Sequence, residues 1–314
     1  MTSSRDGTTI QDTAIATLEA IDHRAVDWSE VRSTAYLIHQ HFRYEYTGPI
    51  RDLNQRLVII PPERHGDQRL ISHRLEVSSP TTELRRQTDR FGNLVLSLMV
   101  DHVQQAIDFV AWIVVERDRL AAPTIVPAEI AAGPTFRRPS VLTRPDDSLR
   151  AVADELLSDG GDPLALAAGI NARVHGWMTY ANGITGVRTT AAEAFALRTG
   201  VCQDYSHVML ALCRLCGLPA RYVSGHLLGE GGTHAWVEVL VTDPEHPGRH
   251  VARPFDPTNG NEPGLNYVTV AIGRDYADVA PTSGTYVAPY VGTLSARKRT
   301  GLTAIDYFSG TALS

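Results

Sequence analysis

The hydrophobic pattern changes its period near residue 145, so the chain must build two different kinds of core. Residues 34–120 read as short strands. His41–Tyr46 alternates, with Phe42, Tyr44 and Tyr46 on one face. Leu57–Ile60 ends at Pro61-Pro62, and His73–Val77 alternates again before a Ser-Ser-Pro turn. Asp89-Arg-Phe-Gly-Asn93 is a turn ahead of Leu94–Val100, and Ile107–Val115 is a further apolar strand. Short alternating runs punctuated by turn residues predict an antiparallel β-domain.

Residues 121–145 carry five prolines and little periodicity, and read as a linker. Helix signals follow. Asp147 caps a helix through Leu157, and Asp162-Pro163 opens a second with proline at its first position. Thr190-Ala-Ala-Glu193 is a capping box for a third, ending at Thr199-Gly200. A fourth runs from Cys202 to Cys216 and stops at Gly217, with Pro219 just beyond. Strands then return over Arg221–Leu228, over Thr233–Val241, and into Phe255-Asp256. The expected organisation is an N-terminal extension (1–33), the β-domain (34–120), the linker (121–145), an α+β core (146–292) and a C-terminal tail (293–314). Within the extension, residues 8–25 place Ile10, Ala14, Leu18 and Ile21 near helical spacing.

Composition narrows the function. Net charge is −6 and the only basic run is Arg297–Arg299, so the basic stripe of a nucleic-acid binder is missing. Three cysteines in 314 residues are no disulfide framework. There is neither a signal-like start nor an apolar run of membrane-spanning length. These features predict a reduced, cytoplasmic protein with no nucleic-acid or membrane partner, and none of them sets an oligomeric state.

Three short segments carry chemistry. In Gly200-Val-Cys202-Gln-Asp, the cysteine opens a helix, where free amides and the helix dipole stabilise a thiolate and can help form an oxyanion hole. A lone cysteine in that position is more often structural. In Thr233–Val239, strand alternation puts His234, Trp236 and Glu238 on one face. Phe255-Asp256-Pro-Thr-Asn-Gly260 sets a carboxylate at a strand end. A thiol nucleophile needs a base, and the base needs a partner to hold its tautomer, so Cys202, His234 and Asp256 form a candidate set in that order.

The segments Gly200-Val-Cys202-Gln-Asp, Pro219–Gly225, His234-Ala-Trp236 and Phe255-Asp256-Pro-Thr strongly resemble the transglutaminase-like superfamily of bacterial cysteine peptidases and amidases. The resemblance extends to Thr190–Ala194, to Gly273–Pro281, and to Tyr44, Pro61 and Asp89–Asn93 in the β-domain, roughly residues 34–290 in all. It implies an α+β, papain-like transglutaminase core, with helices on an antiparallel sheet, preceded by the β-domain, and Cys202, His234 and Asp256 as the triad. It implies a peptide or protein substrate and no cofactor or metal. One departure is the approach to Asp256, Gly248-Arg-His-Val-Ala-Arg-Pro254, which lacks the tryptophan often found there. The expected reaction is hydrolysis of a peptide or amide bond through a Cys202 thioester. An amine acceptor would make the chain a transglutaminase or amide-forming acyltransferase, and a non-catalytic binding module is the third reading.

Other residues receive smaller roles. Gln203, Tyr180 and Trp236 are candidates for the substrate or oxyanion site. Asp204 is expected to support the helix start, His207 to pack or to be solvated rather than act as the base, and His226 to lie on the rim of the site. Cys213-Arg-Leu-Cys216 falls in the last turns of its helix, where a redox or zinc role is disfavoured.

Overall fold

A computed structural model describes residues 21–80, 83–158 and 161–308. The strands are β1 (Val31–Glu45), β2 (Ile50–Leu57), β3 (Arg64–His65), β4 (Gln68–Val77), β5 (Glu83–Thr88), β6 (Leu94–Val103), β7 (Ala106–Asp118) and β8 (Ile125–Val126). They continue as β9 (Thr179–Tyr180), β10 (Thr199–Gly200), β11 (Ala220–Leu227), β12 (His234–Thr242), β13 (His250–Phe255), β14 (Tyr267–Gly273), β15 (Thr282–Val287) and β16 (Thr293–Tyr307). The helices are α1 (Ala128–Ala132), α2 (Asp147–Ser158), α3 (Pro163–Trp177), α4 (Ala191–Leu197), α5 (Cys202–Leu215) and α6 (Tyr276–Val279).

The α+β class and the antiparallel sheets are as the sequence predicts. The β-domain consists of two sheets, β16-β1-β7-β4-β3 and β15-β2-β6-β5, with the inward faces of their long strands sharing one core. Tyr36, Ile38 and Phe42 of β1 supply alternate inward positions of that core, as strand pleating requires.

The sheet of the α+β core is ordered β14-β11-β12-β13-β8, and α5 lies against it. Residues 203–214 of α5 are all buried, so this helix is the centre of the unit rather than an amphipathic surface helix. Helices α2, α3 and α4 pack around it through Leu149, Ala153, Ile170, Val174, Ala194 and Phe195. Thr190 and Glu193 cap α4 reciprocally, and Asp162 caps α3 through the Leu164 and Ala165 amides. The cap of α2 is Asp146 rather than Asp147: its Oδ1 accepts from the Leu149 amide at 2.9 Å.

Three expected boundaries are corrected. Residues 293–307 are no tail: they form β16, paired along the whole of β1. Residues 282–287, assigned to the core, form β15 and complete the second β-domain sheet beside β2. The chain thus returns to its first domain after finishing its second. Residues 121–145 are no free linker, because β8 extends the core sheet and Phe136 and Leu142 are buried. Most of the helix expected over residues 8–25 lies outside the described residues; within them, His23–Ala25 is a single 3-10 turn.

The two units meet along β14, an edge strand that needs backbone partners. Side-chain amides supply them. Gln68 donates to the Thr269 carbonyl and accepts from its amide, both at 2.8 Å. Asn93 does the same for Ile272, at 2.7 and 2.8 Å. Asp89 holds the turn that presents Asn93 by accepting from the Phe91 and Asn93 amides. The His65 ring and Arg221 both pair with the buried Glu238 carboxylate. The Arg221 guanidinium, with the His65 ring hydrogen-bonded beside it, overcomes the burial cost and holds Glu238 down at about 2. Among the described residues no helix is long and apolar enough to cross a membrane.

Candidate active site

Cys202 sits where it does because Asp204 builds the helix start. The Oδ2 of Asp204 accepts from the Val201 amide at 2.8 Å and from the Thr185 hydroxyl at 2.6 Å. A Cβ at residue 200 would lie 2.5 Å from that Oδ2, so the turn needs Gly200. Burial raises the Asp204 carboxyl above its ordinary range, against those hydrogen bonds. Cys202 itself is half-buried, whereas Cys213 is fully buried, and all three cysteines are free thiols.

His234 is the first residue of β12 and pairs with Gly225 of β11. A Cβ at Gly225 would collide with the Val268 carbonyl and the Trp236 indole. Trp236 therefore lies flat behind His234, with ring centroids 6.3 Å apart and planes 27° apart. Tyr267 meets both rings, at 5.9 and 5.4 Å. The imidazole is 2% exposed. Its Nε2 lies 2.7 Å from Asp256 Oδ2, and its Nδ1 lies 3.3 Å from Glu230 Oε2. Burial works to lower the basicity of His234, but hydrogen bonding with Asp256, Cys202 and Glu230 outweighs it and raises the ring to about 12. This environment favours the imidazolium form.

Asp256 is completely buried, and every lone-pair direction of its carboxylate is used. Oδ2 accepts from His234, from the Tyr267 hydroxyl at 2.8 Å and from Asn259 Nδ2 at 2.7 Å. Oδ1 accepts from the Thr258 and Asn259 amides at 2.8 and 3.2 Å. Burial alone would raise this carboxyl, but the His234 hydrogen bond, supported by Tyr267 and Asn259, keeps it below its ordinary value. The turn that delivers these amides closes at Gly260, with φ of +67°, over the ring of His175.

The remaining candidates separate. Tyr180, paired with Gly200 through the short β9–β10 ladder, is 52% exposed and stands at the mouth of the site. Burial raises its hydroxyl, and the charges of Cys202 and Glu230 add to the shift. Gln203 spends its amide on the Gly186 carbonyl at 3.3 Å, tying down the loop that precedes α4. Trp236 is 1% exposed and backs the histidine ring, so it is a wall rather than an open subsite. His207 is buried and accepts from the Tyr276 amide at 3.2 Å, consistent with packing. His226 is corrected from rim to interior: it is 1% exposed, because β11 runs through the middle of the sheet. The sequence reading missed Tyr267, Asn259 and Glu230. Asn259 lies within the quoted Asp256 motif, the one local signal available. Among the described residues no group of three or more His, Cys, Asp or Glu is disposed to hold a metal ion.

Comparison with known proteins follows the same division of the chain. The transglutaminase-like superfamily model matches residues 150–252, and the bacterial transglutaminase-like N-terminal region matches residues 36–116. An uncharacterised protein of Mycobacterium tuberculosis H37Rv is 26% identical over 280 residues, covering 79% of this chain and 86% of that protein. An uncharacterised Mycobacterium leprae protein is 28% identical over 245 residues, covering 72% and 84%. A Cytophaga hutchinsonii protein, described as a suggested cysteine protease, shares the fold with a TM-score of 0.71 at 21% identity, covering 88% of this chain and 93% of that one.

Proposed function

The chain belongs to the transglutaminase-like superfamily, and on that premise we propose that it is a cysteine-dependent enzyme that cleaves a peptide or amide bond through a thioester on Cys202. The observation that carries this reading is the disposition of His234, bound to buried Asp256 through Nε2, with half-buried Cys202 at the start of α5 among the groups that raise its basicity.

In this mechanism the Cys202 thiolate attacks the substrate carbonyl carbon. The resulting oxyanion is received by backbone amides at the start of α5, each such donor worth about 3 kcal/mol of transition-state stabilisation. The His234 imidazolium gives its Nδ1 proton to the amide nitrogen, the C–N bond breaks, and the amine leaves. Water then attacks the thioester carbonyl while neutral His234 takes its proton. The C–S bond breaks, returning the thiolate–imidazolium pair. Asp256 holds Nε2 throughout, so one ring nitrogen does all the proton transfer. An amine in place of water would give amide exchange by the same steps. The Cytophaga protein of the same fold, described as a suggested cysteine protease, agrees with the hydrolytic direction.

The test is activity against a library of fluorogenic peptide amides, with Cys202→Ala as the comparison. Loss of all turnover in the variant is expected; turnover that survives the substitution contradicts the mechanism.

A further inference from the structure

Lys298 is the sole lysine of the chain, among 29 lysines and arginines. It lies on β16 opposite Gln40, and so on the inward-facing side of its sheet. Its ammonium stands 5.0 Å from the centre of the Phe42 ring. Burial lowers it to about 8, and no carboxylate among the described residues offsets that cost. Such a cation is expensive to keep without an anion. Close by lies the buried ring of His226, kept neutral first by desolvation and then by the Lys298 charge.

Lys298 and Arg299 line one side of a cavity of about 330 Å³. The other side is the Gly229-Glu230-Gly231 loop that joins β11 to β12. Glu230 therefore belongs to two places at once. It lines this cavity, and its carboxylate lies 3.3 Å from Nδ1 of His234. The cavity begins within one side-chain length of the atom that exchanges protons with the amine.

We propose that this cavity binds the amine side of the bond, and that this amine is an amino-acid end with a free carboxylate, its nitrogen held against Glu230 beside His234 and its carboxylate on Lys298. The proposal rests on the acyl-transfer reading above and adds the chemical class of leaving or accepting amine. A zwitterion of that kind answers two needs with one ligand. Its carboxylate supplies the anion that Lys298 lacks, and its ammonium meets a carboxylate that is half exposed beside the base. In the accepting direction the ammonium first gives one proton to solvent. Its nitrogen then bonds to the thioester carbonyl, the C–S bond breaks, and the second proton passes to His234. The volume suits one amino acid or a short peptide end.

The experiment separates the two levels. The full-length enzyme is acylated with p-nitrophenyl acetate, a donor with no amine side. The release of p-nitrophenolate, and its dependence on Cys202, reports the thioester alone. Absence of a Cys202-dependent burst refutes the underlying reading. With the burst present, deacylation is followed with added glycine and with added glycinamide. Glycinamide offers more free amine at neutral pH, so plain chemistry favours it. We expect glycine to be the better acceptor by about tenfold, the scale of one charge-assisted hydrogen bond. The ratio should fall to one or below, the value plain chemistry sets, in Lys298→Met and recover in Lys298→Arg, while Glu230→Gln weakens both acceptors. A merely structural lysine would lower both acceptor rates and leave their ratio intact. A wild-type ratio at or below one, or a ratio unchanged in Lys298→Met, overturns the proposal. The wild-type ratio decides even if the variant fails to fold.

Discussion

Replacing Asp256 with asparagine is normally the mildest change available to a buried carboxylate, but here it should be severe. An asparagine has one acceptor oxygen and one donor nitrogen at its tip. The carboxylate it replaces takes donors on both sides: His234, Tyr267 and Asn259 Nδ2 at Oδ2, and the Thr258 and Asn259 amides at Oδ1. If the new oxygen faces His234, its NH2 points at the two backbone amides. If the amide flips, the NH2 confronts three donors. At least two buried donors lose their acceptor in either orientation, at about 1–3 kcal/mol each. Asp256→Asn is therefore expected to lower the unfolding free energy by about 2–6 kcal/mol, read by urea denaturation. It also removes the charge that sustains the His234 imidazolium, so kcat/KM should fall by about 10²- to 10⁴-fold. A variant within about 0.5 kcal/mol of the parent, or one that retains most of its activity, would refute this account of how the site is held.

Tyr267→Phe keeps the ring that packs on His234 and Trp236 and deletes only the hydroxyl. It should cost about 1–2 kcal/mol and move the acid limb of the pH–rate profile upward, since Asp256 loses a donor that favours its charged form. Gly225→Ala drives a methyl into the Val268 carbonyl and the Trp236 indole, and a fall in stability of about 3 kcal/mol is expected by thermal unfolding. His207 and His226 are buried as neutral rings, held near 4 and 3 chiefly by desolvation. Their unfolded-state values are higher, so the unfolded chain binds protons first as pH falls. Their stabilisation is complete above about pH 6.5 and is lost as pH drops toward 4, at about 3 kcal/mol or more per ring. Denaturant titrations at pH 7 and pH 4.5 check this, and His207→Gln should flatten the slope.

Much of the candidate site was legible because its three principal residues lie in local patterns. A helix start, an alternating strand and a strand-end turn are each set by neighbours in sequence. What holds those residues together was not legible. Tyr267 reaches Asp256 only because β14 lies beside β11, and that order comes from packing rather than from any spacing in the chain. Glu230 sits in a glycine-rich loop with no periodicity, and its approach to His234 depends on how β12 begins. In the fold, the alternation in β1, β4, β6 and β7 announced itself, whereas β2 and β5 went unread and Leu57–Ile60, expected as a strand, lies at and beyond the end of β2. β16 did not, because as an edge strand it exposes much of its length and reads as polar chain, and its partner β1 lies more than 200 residues away. The proline-rich stretch over 121–145 looked like a linker for a similar reason: proline restricts the backbone but does not prevent the segment from packing, as Phe136 does.

The central claim is that Cys202 becomes acylated, and intact-protein mass spectrometry of acid-quenched turnover tests it most directly. With an activated acyl donor in excess, the account predicts a single acyl adduct on the peptide that contains Cys202. It should be absent from Cys202→Ala and accumulate under conditions that slow deacylation. An adduct on Cys213 or Cys216 instead, or full turnover with no adduct and no dependence on Cys202, would contradict it.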